Sequence, residues 1–374
     1  MKFVIAPDKF KGSLTGFEFC DAVEEGLLRV FENPEILKMP LADGGDGTIE
    51  IVRYYLNAAI VKKRVNDPLF RPVEASYVYS KENGVAYIEM AEASGLVLLM
   101  DNERNCMNTS SYGTGELVLN AIDRGAKEII LGIGGSATND GGMGMAKALG
   151  FRFLDKNDRE LEPIGSNLIQ LNSIDGSKVN FSIKGVSVKI ACDVTNPLYG
   201  KEGAAYVYAA QKGASKAEIE LLDEGLKNYA KIINTQYGIN IQNVKGSGAA
   251  GGLGAGALVL LNGKLTPGID LVKEIANFDQ AIKGSDWIVT GEGKLDSQTL
   301  FGKTIDGVLK SARLENIPVI ALCGVVDISE DVSKKLGLSE TIAVSQGITD
   351  MQIAMDTAYE NVVKSTFEFA QSLK

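Results

Sequence analysis

The chain has 374 residues, 45% of them hydrophobic, with a formal net charge of −10 and no histidine. That length fits about two to three domains with substantial cores, and the acidic balance disfavours nucleic acid or an anionic membrane as the main partner, since both need clustered positive charge. The missing histidine excludes a Ser-His-Asp triad, a histidine general base and any His-containing zinc site, so acid–base chemistry falls to Asp, Glu, Lys, Tyr or Cys.

The N-terminus reads strand, loop, helix. Lys2 to Ala6 is β-type, and Thr15 with Glu18 predicts a capping box that opens a helix whose apolar face is Phe19, Cys20, Val23, Leu27 and Val30. The apolar start gives way at once to Pro7, Asp8, Lys9 and Lys11, too early for a signal-peptide core. A second strand over Ile36 to Leu41 leads into a glycine loop, after which Ile51, Val52, Tyr55 and Leu56 recur with helical spacing. Residues 73–79 and 85–90 flank Asn83-Gly84, a hairpin signal that interrupts the α/β alternation. Alternation resumes with a helix over about Gly115 to Asp123, a strand over 128–133, and a strand over Val186 to Ala191 that ends at Cys192-Asp193. Ala249 to Leu261 is glycine-rich and shorter than the ~20 residues a bilayer span requires, which predicts a buried helix. Strands over Asp286 to Thr290 and Pro318 to Cys323 and a closing amphipathic helix over Asp356 to Phe369 complete the series. Cys20, Cys106, Cys192 and Cys323 are scattered and make no paired ligand motif, so a reduced, cytoplasmic setting is expected.

This order predicts an α/β protein of two domains: a Rossmann-like domain formed by both chain ends, residues 1–65 and 275–374, and an inserted mixed α/β domain over 66–274. The active site is expected in the interdomain cleft.

Three glycine-rich loops stand out: Ala42 to Thr48 (ADGGDGT), Glu128 to Gly144 (EIILGIGGSATNDGGMG) and Gly246 to Gly256 (GSGAAGGLGAG). Glycine lets backbone N–H groups approach phosphate oxygens, and Ser136, Thr138 and Asp140 add polar handles or metal ligands. For each loop the competing reading is a tight turn or a close helix contact. Gly132-Ile133-Gly134-Gly135-Ser136-Ala137 formally matches the dinucleotide fingerprint GxGxxA, with Asp155 at about the expected ~20-residue distance, so an NAD-dependent dehydrogenase is a rival reading. Against it, Asn139-Asp140-Gly141-Gly142 delays the helix that the fingerprint requires. Gly302-Lys303-Thr304 looks like the end of a Walker A loop, but Ser297 stands where that motif needs glycine. A non-catalytic nucleotide sensor is the third reading.

Taken together, Ala6 to Leu14 (APDKFKGSL), ADGGDGT at 42–48, GGSATNDGGMG at 134–144, CDVTNPLYG at 192–200, GAAGGLGAG at 248–256 and TGEGKLDSQT at 290–299 give the chain a resemblance to the bacterial type of glycerate kinase. The ordered series covers most of the chain. The resemblance implies ATP-dependent phosphorylation of D-glycerate with Mg²⁺, with 2-phosphoglycerate favoured over 3-phosphoglycerate, and a small molecule as partner. Oligomeric state stays open, a homodimer included. Asp46 departs from the glutamate common in the family, and Lys294 from a frequent arginine, which loses a planar fork.

Roles follow from the resemblance and from the rule that ligands of open α/β sheets collect at strand carboxyl ends. Asp193 is the first candidate for the base that accepts the hydroxyl proton, with Lys11 and Asp8 as further catalytic candidates. Gly134, Gly135, Ser136, Thr138, Asp140, Gly251 and Gly252 are expected to contact ATP. Lys9, Lys11, Asp43, Gly44, Gly45, Arg71 and Glu292 are expected to hold glycerate, Arg71 as a bidentate clamp on its carboxylate. Asp46 and Asp140 are the candidate metal ligands.

Overall fold

The computed structural model describes residues 1–45, 47–179, 183, 185–296 and 303–374. The strands in chain order are β1 (Lys2–Ile5), β2 (Glu35–Lys38), β3 (Ala59–Asn66), β4 (Pro72–Ser80), β5 (Val85–Glu89), β6 (Glu128–Gly132), β7 (Arg152–Leu154), β8 (Ser173–Asp175), β9 (Ser187–Ala191), β10 (Lys264–Thr266), β11 (Trp287–Leu295), β12 (Val319–Val326) and β13 (Glu340–Ala343). The chain divides into two compact units, Met1–Tyr55 with Pro267–Lys374, and Leu56–Thr266.

In the first unit five strands lie in the order β13-β12-β11-β1-β2, all parallel. Counting only this sheet, that is the 2-1-3-4-5 order of doubly wound sheets and not the 3-2-1-4-5-6 order typical of dinucleotide binders. Its three central strands, β1, β11 and β12, carry apolar runs without alternation because both faces are covered. Phe3 and Ile5 of β1 join Phe19, Val23, Val362 and Phe369 on one face, while Val4 and Ala6 join Ile269, Val308 and Ala312 on the other. The same period of two sorts β12, with Ile320 and Leu322 against the first group and Val319, Ala321 and Cys323 against the second. Helix Gly16–Leu28 starts as its sequence predicts: Thr15 Oγ1 accepts from Glu18 N at 3.1 Å, and Glu18 Oε2 accepts from Thr15 N at 2.8 Å. Gly26 sets that helix directly on the closing helix Ala358–Ser372, since a Cβ there would stand 2.6 Å from Thr366 Cβ.

In the second unit six strands follow the order β10-β9-β6-β5-β4-β3, parallel from β10 to β5 and antiparallel from β5 to β3. A separate antiparallel pair joins β7 and β8. The Asn83-Gly84 hairpin forms between β4 and β5, with Gly84 at φ +66° and Asn83 Nδ2 donating to Ser80 Oγ at 2.9 Å. Strand β3, which the sequence reading left with the chain ends, pairs along its length with β4 and so belongs to this unit. Helix Gly268–Ile275 instead packs Ile269 and Val272 into the first unit's core. The long helix Lys216–Tyr237 carries a second capping box, Ser215 with Glu218, and buries Leu222, Leu226, Tyr229 and Ile233. Among the described residues no helix is long and apolar enough to cross a membrane.

Candidate active site

Sheet order places the first cleft. From β1 the chain moves to β2 on one side and later returns through β11 on the other, so the β1/β11 boundary is a switch point where a crevice opens beyond the strand carboxyl ends. Asp8 N donates to Gly291 O at 2.8 Å, and Thr290 Oγ1 donates to Ala6 O at 2.7 Å, which locks the two strand ends together. A tight turn follows, with Phe10 N on Leu14 O at 2.8 Å and Gly12 at φ +79°, and it leaves Lys11 exposed. The resulting cleft has a volume of about 530 Å³ and is lined by Asp8, Lys9, Lys11, Asp43, Glu292 and Lys303 among others. Gly324 keeps its floor thin, because a Cβ there would stand 2.5 Å from Gly293 O.

Asp8 is the most perturbed carboxylate of this cleft. Its Oδ2 accepts from Thr304 Oγ1 at 2.5 Å and its Oδ1 from Lys9 N at 2.7 Å. Burial pushes its pKa up to about 6, opposed by the Thr304 hydroxyl and reinforced by the negative charge of Asp43. Asp43 Oδ1 in turn accepts from Gly45 N at 3.0 Å and shapes the ADGGDGT turn. Gly47, at φ +88°, gives the Lys9 side chain room, since a Cβ there would be 3.3 Å from Lys9 Cδ. Asp8, Lys9, Lys11, Asp43, Gly45 and Glu292 therefore come together as lining of one cleft. Among the described residues no group of three or more Asp, Glu, Cys or His ligands forms. The Asp43 carboxylate, near enough to Asp8 to raise its pKa, is nonetheless suited to Mg²⁺ carried mainly by nucleotide phosphates, which takes one or two carboxylates from the protein.

The second unit presents the Gly134 loop after β6. Gly134 and Gly135 are exposed, and a Cβ on Gly134 would meet nothing within 4 Å. The loop is tied inward by Leu96 N on Gly135 O and Ala137 N on Ser94 O, both 2.9 Å. Beneath it lies Lys212, which sequence reasoning missed: its Nζ donates to Ser136 Oγ at 2.6 Å and to Thr138 O at 2.8 Å. Its only sequence trace is a lysine before a glycine, and burial came from folding.

Other expected residues are placed differently. Asp140 is fully buried, and its two oxygens accept from Ser111 N, Ser111 Oγ, Gly142 N and Gly144 N at 2.7–3.1 Å. Burial pushes its carboxyl upward against the pull of those donors, and with four protein donors around it the group anchors its own loop instead of facing a metal or nucleotide. Gly251 and Gly252 are also buried. A Cβ on Gly251 would lie 2.1 Å from Thr138 O, and one on Gly252 2.9 Å from Leu226 Cδ2, so these glycines serve close packing and not phosphate contact. Ala250, Gly251 and Gly252 all take left-handed backbone angles and kink the segment Ala249–Leu260. The Arg71 fork is filled: Nε binds Asp67 Oδ2 at 2.7 Å, and the terminal nitrogens bind Glu103 at 2.6 and 3.3 Å. It is a salt-bridge hub between Asp67 and Glu103. Lys294 bridges Asp327 at 3.0 Å and Asp296 at 3.5 Å. Asp193 stands exposed just beyond β9, and Gly44 takes φ +93° in the Asp43 turn. Asp46 and Ser297–Gly302 lie outside the described residues. The dinucleotide fingerprint lacks its context, because helix Met143–Ala148 begins well after the glycines and has only six residues.

Comparison with known proteins identifies the family. The profile of the glycerate kinase family matches residues 3–374. A glycerate kinase of Halalkalibacterium halodurans is 44% identical over 94% of this chain and 93% of its own. A glycerate 2-kinase of Escherichia coli is 40% identical over 100% of this chain and 98% of its own. A crystal structure of a Salmonella typhimurium chain assigned as glycerate kinase 2 superposes with a TM-score of 0.89 at 40% identity, covering 100% of this chain and 98% of that one. Full-length matches in sequence and in fold leave the dehydrogenase reading without support, and this chain belongs to the glycerate kinase family and is a kinase.

Proposed function

We propose that this protein transfers the γ-phosphoryl group of ATP, with Mg²⁺, to the 2-hydroxyl of D-glycerate, giving 2-phosphoglycerate and ADP. The observation that carries the reading is the switch-point cleft, in which Asp8, with its raised pKa, sits among Lys9, Lys11 and Lys303. The relative named glycerate 2-kinase supports the choice of hydroxyl. Cytoplasmic residence fits four cysteines that are all free.

Phosphoryl transfer asks the protein mainly to position two oxygens in line and to neutralise phosphate charge. Lys9 and Lys11 bind the acceptor's carboxylate, and Lys303 adds positive charge at the rim. Asp8 takes the hydroxyl proton as the acceptor oxygen attacks, since a carboxyl near pH 6 is both ionised at neutral pH and basic enough to hold a proton. Thr304 and the Lys9 amide fix its two oxygens. Asp43 would hold the Mg²⁺, whose chemistry is to draw charge from the phosphate oxygens. The exposed Gly134-Gly135 tip takes the nucleotide phosphates. Asp193 is the rival base, and its aspartate-to-asparagine variant separates the two.

The test is an ADP-release assay with ATP, Mg²⁺ and D-glycerate, with L-glycerate, glycolate and no acceptor as controls, followed by identification of the product isomer. D-glycerate-dependent release of ADP with 2-phosphoglycerate as product is expected. Folded protein that binds ATP without such release overturns the reading in favour of a sensor, and 3-phosphoglycerate as product overturns the regiochemistry.

A further inference from the structure

We propose that Lys212 is the positioning residue of the nucleotide loop: its buried ammonium group holds the backbone from Gly134 to Thr138 in the shape that receives phosphate. This rests on the reading of that loop as the phosphate site and names the side chain that organises it.

Lys212 is held in place from both sides of its own backbone. It ends the short turn Ala210–Lys212, its carbonyl accepts from Cys106 N at 3.1 Å, and Gly213 follows at φ +89°, where a Cβ would stand 1.8 Å from Arg104 O. The residue is 3% exposed. Its Nζ reaches the loop at two points, Ser136 Oγ and Thr138 O, on the far side of the exposed Gly134-Gly135 tip. With Gly135 O and the Ala137 amide tied to the 94–96 segment, the Gly135 carbonyl is drawn inward. Among the described residues the N–H groups of Gly134, Gly135 and Ser136 donate to no protein acceptor, so they are left for an anion.

The ammonium group forms no salt bridge among the described residues, and its titratable neighbours are Cys106 and Asp140. Burial depresses its pKa to about 8. A cation buried on neutral oxygens is unfavourable for folding, and methionine of similar length would fill the space at lower cost. Such a group beside an open, donor-rich loop has a use that outweighs its penalty: positive charge under the phosphates and a fixed loop geometry.

The experiment is calorimetric titration of Mg²⁺·ADP, and separately of D-glycerate, into the wild type, K212M and S136A, with melting temperatures for each. K212M is expected to melt at or above the wild-type temperature and to bind ADP at least ~10-fold more weakly, with glycerate affinity within about twofold. In the wild type ADP binding weakens as pH rises through about 8 while the ammonium group loses its proton, and K212M lacks that dependence. If K212M fails to fold, S136A, which removes one of the two contacts, carries the test with an expected loss of about threefold in ADP affinity. A folded K212M that binds ADP as the wild type does, with the same pH dependence, overturns the proposal. Wild-type protein that binds glycerate and not ADP overturns the underlying reading of the loop.

Discussion

Asp8 links stability to chemistry at a single carboxyl. The folded state holds its proton more tightly than the unfolded chain, with a pKa of about 6 against 3.8, so stability attached to this group is full below pH 4 and is lost as pH rises to 6. Above pH 6 the cost is about 3 kcal/mol. Replacing Asp8 by Asn should therefore raise the melting temperature at pH 7 and leave it unchanged at pH 4, while lowering kcat by ~100-fold or more and removing an acid limb near pH 6 from kcat/KM. Thermal melts at the two pH values and a pH–rate profile check this, and an intact kcat in D8N with a collapsed one in D193N would hand the base role to Asp193. Asp8, Lys9, Lys11 and Asp43 were legible because they follow apolar strand runs, and position after a strand end is a sequence property. Lys212 was not legible, because nothing local distinguishes a lysine that folding will bury from one left in water.

Glycine runs show how one composition serves two structural ends at the level of the element. Gly134 has an ordinary φ and open space before it, whereas Gly251 sits at φ +66° with the Thr138 carbonyl where its Cβ would be. Gly134→Ala is accordingly predicted to change unfolding free energy by less than ~1 kcal/mol while weakening ADP binding, and Gly251→Ala to lose ~3 kcal/mol or more through strain and overlap. Urea denaturation with parallel ADP titration distinguishes the two outcomes. Asp140 belongs to the same lesson. Asp140→Ala leaves four buried donors without their acceptor and is expected to cost at least ~3 kcal/mol, with Mg²⁺ dependence unaltered in whatever protein remains folded. A stable D140A with a raised Mg²⁺ requirement would restore it as a metal ligand. From sequence, both glycine loops and this aspartate read as ligand contacts, since polar and glycine-rich turns look alike until their neighbours are known.

Across the whole molecule, the two units differ in how the chain supplies them. Leu56–Thr266 is one continuous segment with its own core, whereas the other unit needs both chain ends. Phe3, Phe19, Val23 and Leu27 are capped by Val362 and Phe369 of the closing helix. Expressed alone, residues 56–266 are predicted to unfold in one cooperative transition, while removing residues 357–374 from the full chain should abolish the cooperative unfolding of the first unit. Circular dichroism and calorimetry on the two shortened chains check this, and a cooperative first unit in the chain lacking residues 357–374 would refute it. The sequence by itself determined the α/β alternation, the strand ends that carry Asp8 and Lys9, the exclusion of histidine chemistry and the family, because hydrophobic period, turn chemistry and ordered motifs are local along the chain. Only the tertiary structure decided that Arg71 is consumed by Asp67 and Glu103, that Asp140, Gly251 and Gly252 face inward, and that Lys212 lies beneath the loop. Each of these depends on at least one partner distant along the chain, Glu103 for Arg71, Ser111 for Asp140, Thr138 for Gly251, Leu226 for Gly252 and Ser136 for Lys212, and burial, which sets both the charge cost and the available partners, is a property of the folded chain alone.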